Sequence, residues 1–68
     1  MIELLQALEK KYEAEIAAAK ANIEVYLTNP AGIGEHPDLV AAVDSEMSKL
    51  ATARDKLNTL KEYWETIE

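Results

Sequence analysis

The chain reads as an all-α protein, an antiparallel helical hairpin of two long helices, on three observations. Every glycine and proline falls between Thr28 and Asp38. Apolar residues recur at threes and fours on both sides of that stretch. Neither flank holds a breaker, and since Gly and Pro are the strongest local punctuators, roughly 27 residues before the stretch and 30 after it have nothing to stop a helix. The whole chain, residues 1–68, is then one domain: helix 2–27, turn 28–37 and helix 38–67.

The first helix carries a stripe through Leu5, Leu8, Tyr12, Ile16, Ala19, Ile23 and Tyr26. One step of four follows another in this stripe, which suits a nearly straight helix better than a long supercoil. Ala14, Ala17, Ala18, Ala19 and Ala21 make a thin waist where a second helix can approach closely. Helix propensity and tight packing account for that run, and it is not read as a ligand cleft.

In the turn, Asn29 precedes Pro30 and is pushed out of helical geometry, ending the first helix near Leu27 or Thr28. Gly32 and Gly34 can take positive φ, and Ile33 between them is expected to fold back over the end of the bundle. A connection of this length exceeds the usual two to eight residues between helices. The exposed polar groups Glu35, His36 and Asp38 are therefore candidates for contacting a partner, although a rigid capped turn is the simpler account. Their adjacency lacks the spacing of a fixed metal site, so no metal is assigned.

The second helix opens at Pro37, whose missing N–H is not needed at a first helical position. His36 is then the expected N-cap, and Asp38 in the first turn complements the helix dipole. Its stripe runs through Val40, Val43, Met47, Leu50, Ala53, Leu57, Leu60, Trp64 and Ile67. No Gly or Pro stops the C-terminal end, where fraying is expected. Folding the chain about Ile33 pairs residues whose numbers add to about 66, which sets Ile2 beside Trp64, Ile16 beside Leu50 and Ile23 beside Val43. The stripes are wider than a two-helix seam, and dimerisation into a four-helix bundle would cover the remainder. Tyr63 and Trp64 offer the alternative of an exposed aromatic anchor for a partner.

Composition narrows the function. The 68 residues include no cysteine and one histidine, so neither a disulfide framework nor a zinc site is available to stabilise so short a chain, and oligomerisation takes that role. A formal charge of −6, with lysines interleaved among carboxylates, argues against direct nucleic-acid binding, which needs a basic stripe. The acidic start and the absence of a long apolar run predict a soluble, cytoplasmic protein without a signal peptide or membrane span. Di-iron chemistry needs Glu-x-x-His pairs inside a bundle, and no helix interior holds a histidine. The candidate nucleophiles, Ser45 and the threonines, have no base placed near them in sequence. Arg54, the one arginine, falls at the stripe margin near Tyr12 and is read as a stacked or snorkelling side chain. No catalytic, cofactor-binding or metal residue is assigned.

The string Asn29-Pro30-Ala31-Gly32-Ile33-Gly34-Glu35-His36-Pro37-Asp38, flanked by helices, resembles small uncharacterised two-helix proteins encoded by marine T4-like bacteriophages. The resemblance implies a virus-encoded product acting in the bacterial host cytoplasm, and it carries over no functional residues. The leading expectation is a non-enzymatic interaction or structural protein, a small acidic homodimer engaging a host or viral protein through Glu35, His36, Asp38, Tyr63 or Trp64. The alternative is an inhibitor that sequesters a ligand in a small pocket at the dimer interface around Tyr12, Arg54 and Trp64, or whose acidic faces imitate nucleic-acid phosphates.

Overall fold

The computed structural model describes residues 2–28 and 38–67. The expected roles of Ile33, the two glycines, Glu35, His36 and Pro37 lie outside the described residues. Two helices, α1 (Ile2–Thr28) and α2 (Leu39–Ile67), pack side by side in a body of 49 × 16 × 14 Å. The helical hairpin is therefore as expected, with both helix boundaries within a residue of the sequence reading.

The start of α2 differs from expectation in its cap. Asp38 stands outside the helix, its Oδ1 accepting the Ala41 N–H at 2.9 Å and its carbonyl accepting the Ala42 N–H at 3.2 Å. A side-chain acceptor reaching the third helical N–H is the N-cap arrangement, so Asp38 caps α2 in the place assigned to His36. Near the far ends, Thr28 and Thr66 each donate a hydroxyl hydrogen bond to the carbonyl four residues earlier, Glu24 at 2.7 Å and Glu62 at 2.9 Å.

The seam between the helices departs from the sequence stripe in an instructive way. On α1 the recessed residues are Leu5, Glu9, Tyr12, Ile16, Ala19, Ile23 and Tyr26; on α2 they include Leu39, Val43, Glu46, Leu50, Ala53, Leu57, Leu60 and Trp64. Both sets alternate strictly between steps of four and three, the heptad order of a coiled-coil seam. Four residues of the expected stripes are left outside it: Leu8 is 36% exposed, Met47 47%, Ile67 50% and Val40 81%. A stripe drawn through the most apolar residue of each turn drifts around the helix, whereas two helices in contact along their whole length need one unbroken line. Glu9 and Glu46 sit on that line, and Leu8 and Met47 flank it.

The register also shifts from the expected pairing. Asn22 bonds Glu46 across the helices and Lys56 lies over the Tyr12 ring, so facing residue numbers add to about 68 rather than 66. The reason lies at mid-hairpin, where Ala19 and Ala53 are the most buried residues, each 2% exposed. Small side chains at these two seam positions let the helix axes approach closely there.

Candidate functional site: a buried carboxylate at the alanine waist

Glu46 is the one buried charged residue among those described, 7% exposed. It occupies a seam position of α2 between Val43 and Leu50, so the geometry that buries those two side chains buries it as well. Both of its oxygens are engaged. Asn22 Nδ2 donates to Oε1 at 2.8 Å from α1, and Lys49 Nζ donates to Oε2 at 3.0 Å from the next turn of α2. The Asn22 hydrogen bond, then the Lys49 hydrogen bond and charge, hold the Glu46 carboxyl below the ordinary glutamate range; burial pushes the other way and is outweighed. No buried side-chain polar atom among the described residues lacks a partner.

This cluster opens onto a shallow groove of about 440 Å³ lined by Glu15, Ala18, Ala19, Asn22, Glu46, Ser48, Lys49, Thr52 and Ala53. The groove exists because the alanines and Thr52 are short. The alanine run, expected only to pack, thus forms one wall of it. Chemically the groove presents one ion pair and small polar side chains. A carboxylate with both oxygens hydrogen-bonded and its pKa lowered is a poor general base, since the proton affinity that work requires lies near neutral pH. The arrangement is suited to holding α1 and α2 in one register, because a one-turn slip would strip Glu46 of Asn22.

The residues singled out from sequence are not gathered into one place. Glu35 and His36 lie outside the described residues, and Asp38 is engaged as the α2 cap. Tyr63 is 56% exposed at the end of the hairpin away from the turn, and Trp64 is half-buried in the seam. Trp64 lines a groove of about 290 Å³ with Glu9, Lys61 and Glu65. Tyr12 belongs elsewhere: Lys56 Nζ stands 5.9 Å from its ring centroid, a cation–π distance, in the position expected for Arg54, which is exposed. Tyr12, Arg54 and Trp64 therefore do not line a common pocket within one hairpin. A further groove of about 560 Å³ near the turn is lined mainly by apolar groups, Ile23, Leu27, Met47 and Leu50, with Lys20 and Glu24 at its rim.

Asn22, Glu46 and Lys49 were not singled out from sequence. The signal was present, since a strict heptad drawn back from Trp64 lands on Glu46, but a neighbouring Met47 offered a more apolar choice in the same turn. Among the described residues no group of His, Cys, Asp and Glu could hold a metal ion, and no helix is long and apolar enough to cross a membrane. No family model, curated protein or solved structure matches the chain, so any functional reading rests on the hairpin, its polar clamp and its uncovered apolar surface.

Proposed function

We propose that this chain is a non-enzymatic interaction protein whose working form is a homodimer of hairpins, acidic on its surface and cytoplasmic, engaging a second protein. One observation carries the reading: the hairpin leaves too much apolar surface uncovered for its size. Leu4, Val25, Leu27, Val40 and Tyr63 are each more than half exposed, and no described side chain is completely buried. A folded monomer of this mass exposes about 4,300 Å², whereas this chain exposes 5114 Å². The surplus, about 800 Å², is close to what one partner contributes to a standard interface. On the likeness of its turn to phage proteins, the second protein is of host or viral origin.

Sedimentation equilibrium across the micromolar range tests the dimer, and the expected mass is twice 7.6 kDa. The apparent melting temperature should also rise with protein concentration, as linkage requires when the folded form associates. A folded 7.6 kDa monomer throughout that range would overturn the reading.

A further inference from the structure

We propose that a second copy of this chain docks on the outer face of α1, antiparallel to it, through Leu4, Ala7, Ala14, Ala18, Ala21 and Val25. The inference rests on the homodimer reading and names the surface and orientation it uses. These six residues, with Lys11, sit at positions 4, 7, 11, 14, 18, 21 and 25, again in alternating steps of three and four. α1 therefore carries two heptad lines on nearly opposite sides, one covered by α2 and one exposed over its whole length. Leu4 is 66% exposed and Val25 52%, too apolar at both ends of the line for alanine helix propensity to explain it.

The equivalent positions of α2 are Ala41, Ser45, Ser48, Thr52, Asp55, Thr59, Glu62 and Thr66, all exposed and, after Ala41, all polar. The chain thus distinguishes a solvent-facing helix back from one built to be covered. Alanines along the middle of a seam allow the helix axes to come to the close end of the usual 8–10 Å range, so that backbone as well as side chains leave water. A face of this length suits the missing area of about 800 Å².

The rim charges accommodate the antiparallel orientation, and cross-linking tests it. In an antiparallel pair with its two-fold axis beside Ile16 and Ala17, Lys10 of each copy stands across from Glu24 of the other, giving two opposite-charge pairs on one rim. In a parallel pair the two opposite rims would meet instead, setting Lys10 against Glu15 of the second copy. On the other rim Glu15 of the two copies approach each other, each with Lys11 one turn earlier on its own helix. Lys11 itself can lay its methylenes along the alanines and carry its ammonium out to that rim. At the axis Ala17 meets Ala17 of the second copy.

The chain has no cysteine, so single-cysteine variants report proximity directly. Ala17→Cys should oxidise under a glutathione redox buffer to a disulfide-linked dimer within minutes, while Thr59→Cys, on the back of α2, stays at least tenfold slower. Ala14→Glu should sediment as a monomer at micromolar concentration with its helical circular dichroism intact, while Met47→Lys, in the groove near the turn, stays dimeric. A wild-type monomer would defeat the homodimer reading itself. A wild-type dimer that survives Ala14→Glu, or that cross-links through Thr59→Cys as fast as through Ala17→Cys, would overturn this inference and leave the dimer standing.

Discussion

The two helices of this hairpin differ most on the sides that do not touch. The back of α2 is a run of hydroxyls and carboxylates, with Ser45, Thr52, Asp55, Thr59 and Glu62 all exposed, while the back of α1 presents Leu4, Ala14, Ala18, Ala21 and Val25. Their inner faces are alike in spacing, and each admits one glutamate, Glu9 on α1 and Glu46 on α2. A helix with one apolar face is finished when it has one neighbour; a helix with two is half covered by a single partner. A hairpin can thus be complete on one helix and incomplete on the other, and incompleteness is a property of a face rather than of the molecule.

The largest effect should come from the inner face of α2. Leu50→Ala removes a side chain only 7% exposed and is expected to cost about 3 kcal/mol in urea unfolding. Ser45→Ala, on the back of the same helix, should change stability by no more than about 0.5 kcal/mol. Equal effects would break the claim that α2 is one-sided.

The back of α1 should respond differently from the back of α2. Val25→Ala is expected to cost about 1 kcal/mol at concentrations where the protein associates, from the apolar surface it no longer buries. Thr59→Ala should cost nothing measurable. Chemical denaturation at two protein concentrations separates the cases, because an association effect fades on dilution and an intrinsic helix effect does not.

A smaller contrast lies at the helix starts. α2 begins on the Asp38 cap, so Asp38→Ala should lower stability by about 1 kcal/mol, and Asp38→Asn should recover most of it. A loss of stability in Asp38→Asn equal to that in Asp38→Ala would show that the carboxylate charge, not the cap hydrogen bond, carries the effect.

The smallest expected effect is visible as a pH dependence. Folding lowers the Glu46 pKa through Asn22 and then Lys49. Its contribution is therefore fully present above the ordinary glutamate range and is lost as pH falls through the lower, folded value. Stability of Glu46→Gln measured from neutral pH into that acid range should fall less steeply than that of the wild type. Identical slopes would mean that Glu46 titrates as it does in the unfolded chain.

Much of this was legible in the residue order. Confinement of Gly32, Gly34, Pro30 and Pro37 to one stretch predicts two helices and their ends, because those residue types act through local backbone geometry that needs no partner. Seam membership was less legible. Leu8 against Glu9 and Met47 against Glu46 are decided by one continuous line of contact along both helices, and local hydrophobicity points to the wrong member of each pair. The cap is no more legible, since His36 and Asp38 both suit it by residue type and only the N–H of Ala41 selects Asp38.

By itself, then, the sequence determined the helical hairpin, its antiparallel sense and the excess of apolar residues over what one seam can hold. Those follow from breaker placement, helical period and composition, all of which are local or additive. The register needs the tertiary structure, because the close approach at Ala19 and Ala53 and the Asn22–Glu46 hydrogen bond exist only when both helices are present. The same packing decided that Glu46 would be buried and clamped between Asn22 and Lys49, since burial of a single side chain depends on what the opposite helix places in front of it.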